Sequence, residues 1–231
     1  MSAIAIITAR GGSKRIPHKN IKPFLGKPII QYSIEAALKS GVFEEVMVST
    51  DDEKIARIAK ECGALVPFFR SKENSDDFST TADVIREVLK AYEDRDRKFD
   101  YACCIYPTAP FLTAETLKDA MEVLREKKAD SVIPVVKFSF PPQRAVVVRD
   151  GAIKMNMPEY ALARSQDLEP WYHDCGQFYC LDVESFYKQG SLVMENTYPY
   201  FQDEMNVQDI DTLEDWEMAE MKMRLIRGDK H

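Results

Sequence analysis

Apolar positions along this chain come in two spacings, short unbroken runs and longer stretches with a period near 3.6 residues. Ala3-Ile4-Ala5-Ile6-Ile7 reads as a strand buried on both faces. An amphipathic stretch from Pro28 to Lys39, ended by Gly41, predicts a helix, and Glu45-Val46-Met47-Val48-Ser49 predicts a second strand. Asp51 is the expected cap of a helix running to about Cys62, and Ala64-Leu65-Val66 a short strand stopped by Pro67. A polar stretch, Ser71 to Ser79, leads into a helix from about Thr80 to Glu93. Tyr101–Tyr106 then supplies a central strand, followed by a helix over Ala114–Lys127 and a strand over Ser131–Val136. This βαβα alternation predicts an α/β fold with a doubly wound, mainly parallel sheet.

From about Lys137 to His173 the pattern changes. Pro141-Pro142 interrupts it, and Ala145–Val148 and Ala152–Met155 flank Arg149-Asp150-Gly151, a strong hairpin signal. Residues 137–173 are therefore expected to form an insertion within a single domain of residues 1–231. A lone hairpin is marginal in water, so the insertion needs another surface, such as a second subunit. Gln177–Leu181 returns to strand character, and Thr212–Arg227 predicts a closing amphipathic helix.

Charge sharpens the picture at one place. The first acidic residue is Glu35, and six cations precede it: Arg10, Lys14, Arg15, Lys19, Lys22 and Lys27. The chain as a whole carries a formal charge of -7, so its acidic surplus lies downstream of a basic N-terminal segment. That segment is a Gly/Pro-rich connection longer than compact domains usually tolerate without a functional reason. In Arg10-Gly11-Gly12-Ser13-Lys14-Arg15-Ile16-Pro17-His18-Lys19-Asn20, glycines let backbone N–H groups approach an anion and the cations surround it. A phosphate chain fits this, although the segment has neither the P-loop nor the dinucleotide spacing. The bland alternative is a solvated turn.

Composition bounds the remaining classes. With 231 residues and 45% hydrophobic content, the chain can bury one sizeable core. No apolar run approaches the roughly 20 residues that span a bilayer, and the N-terminus lacks signal-peptide order, so a cytoplasmic protein with no membrane partner is expected. Net acidity argues against a nucleic-acid partner. The five cysteines form no C-x-x-C pair and read as reduced, mostly buried thiols.

Asp209-Ile210-Asp211 places two carboxylates on one face of an extended backbone, where both can meet a hard cation such as Mg²⁺. Asp211-Thr212-Leu213-Glu214 also fits a capping box, so the motif alone favours Asp211 as a helix cap, which leaves Asp209 unexplained. Ser79-Thr80-Thr81 opens a helix, where hydroxyls usually cap, and Arg70 is readable as a surface cation. Tyr106-Pro107-Thr108-Ala109-Pro110 leaves the C-terminal end of a central strand, the edge where doubly wound sheets bind ligands. His18 and His173 are isolated, and Cys175 has no evident base partner.

Taken together, Ala9-Arg10-Gly11-Gly12-Ser13-Lys14-Arg15-Ile16-Pro17-His18-Lys19-Asn20, Val48-Ser49-Thr50-Asp51-Asp52, Tyr106-Pro107-Thr108-Ala109-Pro110 and Asp209-Ile210-Asp211-Thr212 resemble, in order, the motifs of the CMP-sialate synthetase (acylneuraminate cytidylyltransferase) family. The resemblance implies a Rossmann-like nucleotidyltransferase fold, Mg²⁺ as cofactor, CTP and a nonulosonic acid as substrates, and a homodimer formed through the insertion. By the same resemblance Arg10, Gly12, Ser13, Lys14, Lys19 and Asn20 handle the triphosphate, Arg70, Ser79, Thr80 and Thr81 hold the cytidine, and Asp209 and Asp211 bind the metal. Arg10, Lys19, Asp209 and Asp211 would then carry catalysis. Tyr106, Cys175, Gln177 and Tyr179 would face the sugar, with Arg144 and Arg164 reaching across the dimer. Tyr106 and Cys175 stand where sialic-acid enzymes have Gln and Asn, and Arg164–Pro170 with Tyr172–Tyr179 resembles the pseudaminic-acid branch of the family. Among enzymes the runner-up is the same reaction on N-acetylneuraminic or legionaminic acid, and a non-catalytic nucleotide-binding module remains the alternative of another class.

Overall fold

The odd and even residues of the first strand face different cores. In this computed structural model, which describes residues 1–76 and 78–228, β1 spans Ala3–Thr8. Ala3, Ala5 and Ile7 pack in one cluster with Ile30, Ile34, Leu117 and Met121, while Ile4 and Ile6 pack in another with Ile85, Val88 and Phe186. Burial on both faces is why the run is uniformly apolar.

The elements follow in chain order. After β1 come β2 (Pro23–Phe24), β3 (Lys27–Pro28), α1 (Ile29–Ser40), β4 (Glu45–Ser49), α2 (Glu53–Glu61), α3 (Thr81–Glu93), β5 (Tyr101–Ile105), α4 (Ala114–Glu126) and β6 (Ser131–Lys137). The hairpin β7 (Val146–Arg149) and β8 (Ala152–Met155) precedes β9 (Tyr172–Asp174), β10 (Phe178–Asp182), α5 (Val183–Gln189), β11 (Thr197–Phe201) and α6 (Leu213–Arg227). The main sheet runs β11-β6-β10-β5-β1-β4, with β9 paired to β6. β1 is parallel to both β4 and β5, and β11 to β6, whereas β10 runs antiparallel between β5 and β6. The sheet is mixed and mainly parallel, as expected.

Several details depart from the sequence expectation. Asp52, not Asp51, caps α2, because it is the Asp52 carboxylate that accepts the Ile55 N–H three residues on, at 2.9 Å. Ala64–Val66 contributes a single parallel bridge, Leu65 to Met47, rather than a strand, since Pro67 ends it at once. The basic connection is not structureless: it holds a 3₁₀ turn at Lys19–Ile21 and the β2–β3 pair. No element is predicted between Leu181 and Thr212, yet α5 and β11 lie there. α5 is only seven residues long, and β11 carries Pro199, which an edge strand tolerates.

The hairpin forms as its Asp-Gly turn predicts, with Asp150 at φ 53° and Gly151 at φ 77°. β7 and β8 make a two-stranded sheet of their own, and Val148, Ile153 and Leu162 of this segment are exposed.

A third apolar cluster positions the chemistry. Ile16 from the basic connection packs with Phe24, Ile29, Tyr32, Phe111, Trp216 of α6 and Ile210. Burying Ile16 and Ile210 together draws the Asp209-Ile210-Asp211 stretch against the basic loop.

Candidate active site

β1 is the strand at which the chain order reverses, with β4 on one side and β5 on the other. In open α/β sheets, ligand crevices form at such a switch point, beyond the carboxyl ends of the strands. Register sets those ends level, Thr8 opposite Ser49 and Ile7 opposite Ile105. A cleft of about 450 Å³ opens above them, lined by Arg10, Ser13, Lys14, Arg15, Lys19, Asn20, Tyr106, Thr108 and Asp211 among others. A smaller cavity of about 190 Å³ adjoins it through Thr8 and Arg10, walled by Arg70, Asn74, Asp76, Ser79, Thr80, Thr81 and Val84.

The loop is held by the turn that follows β4. The Gly11 N–H donates to Asp51 Oδ1 at 2.8 Å, so Asp51 anchors the loop instead of capping α2. Gly11 is packed so closely that a Cβ there would lie 2.9 Å from Asp52 Oδ2. Gly12 is different, for a Cβ would meet nothing within 4 Å, so only a ligand would require glycine there. Asn20 is buried and donates from Nδ2 to the Arg10 carbonyl at 2.9 Å, bracing the loop across its width. Arg10 itself donates to the Asp76 carbonyl at 2.7 Å, linking cleft to side cavity.

Opposite stands Asp211. Its Oδ2 pairs with Arg15 Nη1 at 2.9 Å and its Oδ1 with Lys19 Nζ at 3.3 Å, while Lys19 also donates to the Ile210 carbonyl at 2.6 Å. The capping of α6 falls to Thr212 and Asp215, which exchange backbone and side-chain hydrogen bonds. Asp211 is thus not the helix cap, and its charge serves the cleft. Asp209 does not line the cleft. Partial burial, then the charge of Asp211, pushes the Asp209 carboxyl up from its ordinary value. A carboxyl raised by the charge of a neighbouring carboxylate marks a natural cation site. Among the described residues no group of three or more His, Cys, Asp or Glu converges. A cation at Asp209 and Asp211 would therefore complete its shell with phosphate and water oxygens, the habit of Mg²⁺.

The side cavity gathers Arg70, Ser79, Thr80 and Thr81. Arg70 is 8% exposed and grips the end of β4, Nε to Ser49 Oγ at 3.0 Å and Nη2 to the Ser49 carbonyl at 2.7 Å. Burial pulls the Arg70 guanidinium down from its usual range, opposed by the charges of Asp51 and Glu87. Thr80 caps α3 in a capping box with Asp83, and Ser79 Oγ turns to the Asp76 carboxylate at 2.7 Å. Thr81 faces the other way, its hydroxyl 3.0 Å from the Tyr106 hydroxyl.

Beyond Tyr106 the expected sugar residues divide. The rings of Tyr106 and Tyr179 meet edge to face at 5.6 Å, and Tyr179 donates to Asp174 Oδ2 at 2.6 Å. Burial pushes the Cys175 thiol up to about 12, so it is neither thiolate nor nucleophile. Gln177 is 2% exposed and committed inward, donating to the Asn206 carbonyl at 2.7 Å and accepting from Gln202 at 3.2 Å. It braces the β5–β10 end rather than presenting an amide to the cleft. Arg144 and Arg164 lie in the insertion and do not line the cleft; Arg144 donates to Ser165 Oγ at 3.2 Å. Arg15, Asp51, Asn74 and Asp174 were not among the residues expected to bind substrate or metal. Arg15 inside the basic block, Asp51 inside the Val48–Asp52 motif and Asp174 inside Tyr172–Tyr179 carried a legible signal, and Asn74 carried none.

The cytidylyltransferase family model matches residues 4–195. A pseudaminic acid cytidylyltransferase from Campylobacter jejuni is 38% identical over 222 residues, covering 96% of each chain. A CMP-N,N'-diacetyllegionaminic acid synthase from Legionella pneumophila is 34% identical over 234 residues, covering 97% of each. Among solved structures, CMP:2-keto-3-deoxy-manno-octonic acid synthetase complexed with CTP superposes with a TM-score of 0.70 over 98% of this chain and 100% of that one. At 18% identity that likeness shows the fold.

Proposed function

Since the chain belongs to the cytidylyltransferase family, we propose that it joins CTP to pseudaminic acid, giving the CMP-sugar and pyrophosphate. The observation that carries this is the meeting of Lys19 and Arg15 with Asp211 in one cleft. A nucleotide-binding module would need the cations alone, whereas catalysis of phosphoryl transfer needs cations and a metal-binding carboxylate facing each other.

The chemistry follows from charge. The anomeric hydroxyl of the sugar forms a bond to the α-phosphorus as the bond to the β-phosphate bridging oxygen breaks, and the hydroxyl proton leaves to Asp211 or water. An anionic sugar approaches only if the triphosphate is neutralised. Arg10, Ser13, Lys14, Lys19 and the loop amides around Gly12 bind the phosphates, and Arg15 adds a further cation. Lys19 is held at the Ile210 carbonyl, so it is already placed when the triphosphate displaces its Asp211 contact. Mg²⁺ at Asp209 and Asp211 would lower the hydroxyl's pKa and screen the phosphate charge. Arg70 and Thr81 bound the cavity that receives the cytidine, and Tyr106 and Tyr179 present aromatic surface to the sugar.

The relatives' names support a nonulosonic acid, and replacement of two amides by Tyr106 and Cys175 favours pseudaminic acid. Its methyl terminus matches aromatic surface better than a polyhydroxylated tail does. The exposed apolar residues of the insertion, Val148, Ile153 and Leu162 among them, support a homodimer in which Arg144 and Arg164 reach the neighbouring cleft. No helix among the described residues is long and apolar enough to cross a membrane, which is compatible with a cytoplasmic enzyme.

The test is a panel of nonulosonic acids with CTP and Mg²⁺, products read by mass. Pseudaminic acid should exceed N-acetylneuraminic acid in kcat/KM by at least about tenfold, since each unmatched buried polar group costs roughly 1–3 kcal/mol. Equal or better use of N-acetylneuraminic acid would overturn the sugar assignment, and absence of pyrophosphate release with every sugar would overturn the enzyme.

A further inference from the structure

Glu87 lies on α3 behind the side cavity, and no part of the chemistry above uses it. Its carboxylate nonetheless gathers three donors from one turn: the Ser71 N–H at 2.7 Å, the Ser71 hydroxyl at 3.0 Å and the side-chain amide of Asn74. Ser71 and Ser75 close the turn, Ser75 Oγ donating to the Ser71 carbonyl at 2.6 Å and the Asn74 N–H to Ser71 Oγ at 3.3 Å. The turn begins at the residue after Arg70 and carries Asn74 into the wall of the cavity.

A carboxylate only accepts hydrogen bonds, so the Asn74 atom bonded to Glu87 is its nitrogen. With the nitrogen end tied to Glu87, the other end of the amide is Oδ1, an acceptor. Cytosine carries an amino donor at position 4, where uracil carries a carbonyl acceptor. We propose that Glu87 sets the choice of cytosine over uracil by holding the Asn74 amide with its oxygen toward the base. The cytosine amino group gains a partner there, and the uracil carbonyl meets a like acceptor. Glu87 is then a positioning residue and Asn74 the specificity residue. This rests on the reading that the cavity between Arg70 and Thr81 receives the base.

The ratio of kcat/KM for CTP over UTP tests it. In Glu87→Gln, the Gln amide donates to Asn74, whose own amide turns over and points nitrogen at the base. The CTP:UTP ratio should fall at least about tenfold, through KM for the nucleotide, with KM for the sugar unchanged. Adding Asn74→Asp to Glu87→Gln restores an acceptor at the cavity and should bring the ratio back to within about threefold of wild type. Asn74→Ala, which leaves Glu87 with Ser71, should lower the same ratio and covers the case in which Glu87→Gln fails to fold. Equal losses for CTP and UTP in Glu87→Gln, or failure of Asn74→Asp to restore the ratio, would show that Glu87 only supports the loop, and the proposal would fall. Asn74→Trp, which fills the cavity, separately tests the base reading. CTP should then bind no better than inorganic tripolyphosphate, and undiminished CTP affinity would place the base elsewhere and overturn both.

Discussion

Lys19 and Asp211, 192 positions apart in the chain, meet at 3.3 Å across the cleft, and the same ammonium holds the Ile210 carbonyl at 2.6 Å. This contact joins the basic loop at one end of the chain to the acidic stretch before the last helix. It is possible only because Ile16 and Ile210 share an apolar cluster with Trp216.

Asp211→Asn should reduce turnover at least about 100-fold while leaving the fold intact, because a preorganised charge at the reacting phosphate is lost. The melting temperature should change by no more than about 2 °C, since the α6 cap belongs to Thr212 and Asp215 and partly exposed ion pairs contribute roughly 1 kcal/mol or less. Steady-state pyrophosphate release and thermal unfolding measure the two. Near-normal turnover in saturating Mg²⁺ would end the metal role of this carboxylate.

The two loop glycines should behave oppositely. A Cβ on Gly11 would sit 2.9 Å from Asp52 Oδ2 and 3.0 Å from Asp52 Cβ, and Asp52 cannot swing away without giving up its cap on Ile55. Gly11→Ala should therefore destabilise the protein by about 1–3 kcal/mol and raise KM for CTP. Gly12→Ala should leave the melting temperature unchanged, and any loss of CTP affinity in it reports crowding of the ligand. Greater destabilisation from Gly12→Ala than from Gly11→Ala would refute the anchoring of the loop on Asp51 and Asp52.

On the proposed homodimer, paired substitutions Val148→Glu and Ile153→Glu on the hairpin should give monomers that still bind CTP but turn over sugar slowly, because the proposed reach of Arg144 and Arg164 to a neighbouring cleft would be lost. Analytical ultracentrifugation with CTP titration decides this. A variant that sediments as a dimer at full activity would rule out the hairpin as the interface.

Glu35 ties α1 to β3 through Lys27 and pairs one turn along α1 with Lys39, each at 3.0 Å. The hydrogen bond from Lys27 leads in lowering its carboxyl to about 2. A lowered carboxyl stabilises the fold above its ordinary range and loses that contribution as pH falls through the folded value. Glu35→Gln should cost on the order of 1 kcal/mol near pH 7, after allowance for solvent screening, and progressively less as pH drops toward 2. Urea unfolding of both proteins across pH gives the difference. A deficit that stays constant with pH would show that charge is not its cause.

Local pattern was enough for the layers of this fold. β1, β4 and β5 were legible as apolar runs because both faces are buried, and the hairpin because Asp150-Gly151 is among the few pairs that adopt the positive φ a two-residue turn demands. The basic block was visible as charge alone, before any contact was known. Local pattern was silent on α5 and β11, which are too short or proline-interrupted to show a period, and it assigned the α2 cap to Asp51 when either of two adjacent aspartates satisfies the same motif.

What tertiary structure decided was the job of each polar group, because that depends on partners distant in sequence. Asp211 reads as cap or ligand until Arg15 and Lys19 are seen to claim it. Gln177 reads as a ligand until burial commits both ends of its amide, and Asn74 reads as a loop residue until Glu87 fixes which of its atoms faces the cavity. A chain specifies which residues are polar through composition. Which of them face a substrate is settled only when packing has spent the others.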